Sequence, residues 1–146
     1  MRLLWAFLIF PFLINGSLRA NNFEQALKQA QKENKCILLN FSGSDWCGPC
    51  IRMHKEIFEN AVFQEYANVH LIYVNADFPR LKKHQLTQEL QKENDELAEK
   101  YNPTGIFPYT LLLDSSGKVI NTWNGFYENG AESFTAEVKN LVEKNK

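Results

Sequence analysis

Two thiols three positions apart, in Trp46-Cys47-Gly48-Pro49-Cys50, carry the most evident chemistry in this chain. If a helix begins at Cys47 the two sulfurs lie one turn apart, and Pro49 suits a first turn, where its missing N–H needs no partner. The unpaired N–H groups and the dipole of a helix start favour an anion. The thiolate of Cys47 is thereby stabilised and nucleophilic near neutral pH. Cys50, one turn further in, is expected to be more buried and more nearly protonated. It can attack a mixed disulfide formed by Cys47 and release a reduced substrate. Gly48 and Pro49 let the sulfurs approach each other. The implied chemistry is thiol–disulfide exchange, carried by the Cys47–Cys50 couple without a further cofactor.

The same spacing is half of a zinc site, and His54 follows Cys50 on the same helical face. A fourth ligand would have to come from Cys36, His70 or His84, whereas structural zinc uses two paired ligand clusters. The sequence has no second pair, so no metal is expected. Haem attachment needs a histidine directly after the second cysteine, where Ile51 stands. Cys36, which opens an apolar run, reads as inert core. His54 reads as an exposed helical residue that at most tunes local charge.

An apolar run, Cys36-Ile37-Leu38-Leu39-Asn40-Phe41, precedes the motif and reads as a buried strand, ended by the loop Ser42-Gly43-Ser44-Asp45. Before it, Asn22 can cap a helix in which Phe23, Ala26, Leu27 and Ala30 recur at helical spacing. After it, the motif helix runs through Met53, Ile57 and Phe58. Val69 to Val74 reads as a second buried strand. Leu81, Leu86, Leu90, Leu97 and Tyr101 mark one long helix or two short ones. Tyr109 to Leu113 and Val119 to Trp123 form a hairpin around Asp114-Ser115-Ser116-Gly117, and Ala131 to Val142 is a closing amphipathic helix. This order predicts an α/β domain with a central mixed sheet flanked by helices, parallel in its first half and ending in an antiparallel hairpin.

The 146 residues, 45% hydrophobic and 13% aromatic, suffice for one domain with a continuous core. Sixteen basic and seventeen acidic side chains leave a net charge of −1 with no long block of one sign, which argues against nucleic acid as a partner. Three cysteines are too few for a disulfide-stapled miniprotein. Arg2 followed by the apolar stretch Leu3 to Ile14 fits a secretory signal better than a membrane span, with Ala20 as a plausible cleavage residue. Residues 1–20 are therefore read as a signal peptide and 21–146 as the domain, placed in the periplasm or secreted. An uncleaved anchor is the alternative.

Trp46-Cys47-Gly48-Pro49-Cys50 after a strand, with Gly105-Ile106-Phe107-Pro108-Tyr109-Thr110 downstream, resembles the thioredoxin superfamily, in particular exported bacterial thioredoxin-like proteins with Gly-Ser-Asp before the Trp-Cys pair. The likeness spans roughly residues 22 to 144. It implies a thioredoxin fold in which Cys47 attacks, Cys50 resolves, Trp46 flanks the thiols, and Pro108 is a cis-proline whose preceding backbone pairs with the substrate. Phe107 would touch that substrate. A cis X-Pro bond is uncommon, so it is a specific expectation.

Two departures from the family pattern stand out. Thioredoxins commonly bury an aspartate beneath the resolving cysteine and place a lysine near it on the next strand; Asn40 and Tyr73 stand there in this chain. An Asn–Tyr hydrogen bond could satisfy both groups, but Asn40 cannot take the proton of Cys50. Its removal is then left to water or to Asp45. The other departure is a lengthened helical segment, Leu81 to Leu97, before the cis-proline strand, read as a surface helix or a partner-docking face.

The resemblance implies a protein-disulfide oxidoreductase, most simply a reductase, acting on protein thiols or disulfides and recharged by a membrane electron-donor reductase. An isomerase or oxidase is the alternative within the same chemistry. A non-catalytic binding module is the alternative outside it. No dimerisation segment is visible, so a monomer is expected.

Overall fold

The structure, a computed structural model, describes residues 23–145. The signal peptide read over residues 1–20 and the cap at Asn22 lie outside the described residues. Strand β1 (Cys36–Ser42) is buried along its whole length. A strand covered on both faces has no solvent side to alternate with, which is why it reads as a nearly continuous apolar run. It pairs in parallel with β2 (Leu71–Asp77) and antiparallel with β3 (Tyr109–Leu113). Strand β4 (Val119–Asn124) pairs antiparallel with β3, so the order across the sheet is β2-β1-β3-β4. This is the mixed sheet expected, with helices on both faces.

The parallel crossover from β1 to β2 runs through α2 (Gly48–Arg52), π-helical turns over Met53–Phe58, and α3 (Ala61–His70). The sequence reading had no α3 and began the second strand at Val69. Asn60 caps the helix, its side chain accepting from the N–H of Val62 at 3.0 Å. Phe63 and Ala67, four apart, form its buried face, while Val69 is 59% exposed in its last turn. The apolar character of Val69 suggested a strand, and the cap at Asn60 was the signal that outweighed it.

Alternation along the strands divides the core. Leu38 and Leu112 face Met53, Ile57, Phe58, Phe63 and Phe134, the last from α5 (Gly130–Lys144). Ile37, Leu39 and Phe41 face the other way, against Phe23, Ala26 and Ala30 of α1 (Phe23–Glu33) and Leu97 and Tyr101 of α4 (Gln88–Tyr101). Asn34, with φ 51°, ends α1 in the left-handed conformation that asparagine tolerates.

The lengthened segment is not one helix from Leu81. It consists of a 3-10 turn over Lys82–His84 followed by α4, whose cap is Thr87; the Thr87 hydroxyl accepts from the N–H of Leu90 at 3.3 Å. Leu81 is 47% exposed, and the buried face of α4 is made by Asn94, Leu97 and Tyr101. Of the two readings, one long helix or two short ones, the second is the nearer: the break lies at Gln85 and Thr87, whose ψ values of 136° and 156° are extended.

Candidate active site

The loop leaving β1 delivers Trp46 and Cys47 to the start of α2. Cys47 has extended dihedrals (φ −95°, ψ 99°) and caps the helix, its Sγ accepting from the N–H of Cys50 at 3.3 Å. Pro lies in the first turn, which holds no acidic residue to oppose a negative charge. Cys47 and Cys50 form a disulfide with their Cα atoms 5.2 Å apart. In this oxidised pair both are nearly covered, 5% and 3% exposed, so their difference in burial is small. Gly48 and Pro49 are exposed.

Trp46 roofs one side of the motif. Its indole Nε1 donates to the carbonyl of Phe78 at 2.7 Å, and its ring meets that of Phe107 edge-on at 5.5 Å. The Arg80 guanidinium lies 3.7 Å over the indole. Gly43 is what allows this seat: a Cβ there would collide with Cε2, Cζ2 and Nε1 of Trp46.

The peptide bond between Phe107 and Pro108 is cis. The loop before it is shaped by Asn102, a buried residue whose side chain donates to the carbonyl of Ile106 and accepts from its N–H, both at 2.9 Å. Gly105 takes φ +66° within this loop, a conformation glycine adopts without strain. On the other side, the Pro108 carbonyl accepts from the N–H of Gly125 at 2.8 Å.

Asn40 is buried, but its partner is not Tyr73. Its Nδ2 donates to Asn75 Oδ1 at 2.8 Å, and its Oδ1 accepts from the Thr110 hydroxyl at 3.0 Å. Register explains the correction: Asn75 stands opposite Asn40, whereas Tyr73 stands opposite Leu38 and packs its ring against Phe58 at 5.3 Å. The polar row continues outward. Ser42 Oγ shares its proton between Asn75 Oδ1 and Asp77 Oδ1, each 3.1 Å away, and the Asp77 carboxylate accepts from both the N–H and the hydroxyl of Ser44. By alternation with Leu38 and Leu112, Asn40 and Thr110 lie on the sheet face covered by the motif helix and its π-helical continuation.

Asp45 is engaged by the segment after β2. Its carboxylate accepts from the N–H groups of Arg80 and Leu81, both at 2.9 Å, and contacts His84 Nδ1 at 3.0 Å. It fastens the segment after β2 to the active-site loop. These bonds, the Arg80 N–H foremost, hold the Asp45 carboxyl below its ordinary value against an opposing desolvation. A depressed folded value stabilises the contact above the unfolded value of about 3.9, with loss as pH falls through the folded one. The Arg80 and Leu81 amides are therefore expected to keep their hydrogen-exchange protection down to about pH 4 and to lose it at neutral pH in Asp45→Ala. Protection that survives the substitution excludes this role.

His54 faces Glu59 across 3.1 Å with both side chains about half exposed, and Cys36 is buried outside the disulfide. The residues that sequence reasoning missed are Asn75, Thr110, Asp77, Phe78, Arg80 and Asn102. Asn75 and Thr110 carried a signal, being polar positions inside apolar strands. The others depend on loops meeting in space.

The sequence model of a family described as a thioredoxin-like domain matches residues 23–141. The disulfide bond reductase DsbH of Chlamydia pneumoniae is 36% identical over 127 residues, covering 87% of this chain and 74% of that protein. A solved structure titled DsbH oxidoreductase superposes with a TM-score of 0.75 at 34% identity, over 84% of this chain and 82% of that one. A disulphide isomerase from Xylella fastidiosa Temecula1 shares the fold at a TM-score of 0.61 and 21% identity, over 90% of this chain and 98% of that one. With a closed Cys-Gly-Pro-Cys disulfide at a helix start and this match along nearly all its described length, the chain belongs to the thioredoxin-like family and is a thiol–disulfide oxidoreductase.

Proposed function

We propose that the chain is a reductase of protein disulfides in an exported compartment, with Cys47 attacking and Cys50 resolving. The observation that carries the exchange chemistry is the Cys47–Cys50 disulfide closed across the first turn of α2. The reducing direction is supported by a relative, 36% identical over 127 residues, that is named a disulfide bond reductase. The reduced Cys47 thiolate, facing the Cys50 N–H, attacks one sulfur of a substrate disulfide; a Cys47–substrate bond forms and one substrate thiolate leaves. The Cys50 thiolate then attacks Cys47 Sγ, closing the internal disulfide and expelling the second substrate thiolate. The substrate gains two electrons and the enzyme loses two. A membrane reductase carrying electrons outward restores the dithiol, and the reading of residues 1–20 as a signal peptide supports that location. Trp46 covers the thiols, and Phe107 with the backbone before Pro108 receives the substrate strand.

The experiment is the equilibrium potential of the Cys47–Cys50 couple against glutathione. A value near that of reducing thioredoxins, about −270 mV, is expected; one above about −180 mV contradicts the reductase reading and favours an oxidase or isomerase.

Proton handling gives a second measurement. Asn40 accepts a hydrogen bond but no proton, and the Asp45 carboxylate is engaged by Arg80, Leu81 and His84, which leaves water to receive the Cys50 proton. In Asn40→Asp the new carboxylate keeps the Thr110 hydroxyl as a donor and gains the Asn75 amide if that side chain turns over. Burial raises its affinity for a proton toward the working range. Resolution of the mixed disulfide is expected to be several-fold faster, following Brønsted behaviour, and to acquire a pH dependence. An unchanged rate across about pH 6 to 9 sinks this account.

A further inference from the structure

We propose that Arg80 determines substrate specificity by receiving a carboxylate from the substrate, so that the enzyme favours disulfides in extended segments with Asp or Glu beside the cysteine. The inference rests on the reductase reading and adds a substrate class to it.

The segment from Phe78 to His84 is tied to the active-site loop at both neighbours of Cys47 on its N-terminal side. Trp46 donates to the carbonyl of Phe78, and Asp45 accepts from the N–H groups of Arg80 and Leu81 and contacts His84. The Arg80 Cα is thus fixed by its own amide, and its guanidinium lies flat enough on Trp46 to sit 3.7 Å from the ring centre. Stacking orders a long side chain that would otherwise lose rotamer freedom on binding, while its in-plane N–H groups stay available. Arg80 is exposed, and among the described residues no carboxylate lies within ion-pair distance of it. The Asp45 charge next to it is occupied by two backbone donors and His84.

Arg80 also lines a groove of about 430 Å³ with Trp46, Phe78, Gly105 and Phe107. The Trp46–Phe107 and Phe78–Phe107 edge contacts at 5.5 and 5.6 Å give it an aromatic floor beside the residue that precedes Cys47. Lys82 and Lys83 are exposed a few residues further on, and no acidic residue occurs between Asp77 and Glu89. An aromatic floor with an ordered, unneutralised cation at its rim fits a polypeptide carrying an apolar side chain and an acidic one close to its cysteine. It disfavours a basic segment.

The test compares two disulfide-linked peptides that differ only in the residues flanking the cysteine, Glu in one and Lys in the other, reduced by the full chain at low ionic strength. The wild-type ratio of kcat/KM is expected to favour the Glu peptide about threefold or more, as an exposed charge pair allows. Arg80→Glu inverts the preference, Arg80→Lys retains part of it, and Lys83→Glu moves it less than Arg80→Glu does. A wild-type ratio of one overturns the proposal. So does an Arg80→Glu variant that slows both peptides by the same factor, since that is the behaviour of a mere support for Trp46. A Lys83→Glu effect equal to that of Arg80→Glu overturns it too, in favour of a diffuse field. If the wild-type chain reduces neither peptide nor the neutral 2-hydroxyethyl disulfide, the reductase reading itself fails and takes this inference with it.

Discussion

Cys47→Ala is expected to lower disulfide reduction to below about a thousandth of the wild-type rate, since it removes the nucleophile rather than an assisting group. Cys50→Ala has a different signature. Cys47 still attacks, and the Cys50 N–H that its Sγ receives at 3.3 Å belongs to the backbone and survives the substitution. With no resolving thiol, the first step is expected to accumulate protein mixed disulfides on Cys47, visible as reductant-sensitive adducts on non-reducing gels. Both alanine variants remove small side chains, and circular dichroism should show the fold retained. Cys47→Ala keeping a tenth of the activity would contradict the assigned order of attack. A complete absence of adducts with Cys50→Ala would favour a binding module over an enzyme of this mechanism.

Phe134→Ala is expected to cost about 3–5 kcal/mol of stability, a large share of the roughly 5–15 kcal/mol that such a domain has. Phe134 is fully buried in α5, and its ring lies 5.0 to 6.0 Å from those of Trp123, Tyr127, Phe63 and Phe58. Four aromatic neighbours cannot collapse into the space one ring leaves, so the transfer loss and the cavity loss add. The midpoint of thermal unfolding should fall by about 10–20 °C, and Phe134→Leu, which fills part of the space, should cost less than half as much. Phe58 ends the π-helical turns that follow α2, so the same cavity removes support from the helix carrying the two thiols. A cost below about 1 kcal/mol would mean that the aromatic cluster repacks freely.

The succession of strands along the chain and the place of the dithiol were legible because each depends on short-range chemistry, whereas the cis bond at Phe107–Pro108 was expected from the family resemblance. A buried central strand is written as an apolar run, and a helix start as a capping residue followed by Pro in the first turn. The hairpin is written as Asp114 and Gly117, whose side-chain acceptor and φ of +86° make the turn. The errors have physical causes too. Helix α3 was hidden because Val69 and the residues after it read as one apolar strand, although Asn60 had already opened a helix. The leucine series from Leu81 left one long helix and two short ones open, and the extended backbone at Gln85 and Thr87 decides for a short turn followed by α4.

By itself the sequence determined which atoms do the chemistry: two thiols one helical turn apart, a spacing set by local backbone geometry alone. Only the tertiary structure decided what surrounds them. The pairing of Asn40 with Asn75 and Thr110 instead of Tyr73 follows from the register of β1 against β2 and β3. The engagement of the Asp45 carboxylate by the N–H groups of Arg80 and Leu81, and the seat of Arg80 on Trp46, follow from the approach of two loops that lie more than thirty residues apart in the chain. Such contacts form only when the parallel crossover closes, and no spacing along the chain encodes them.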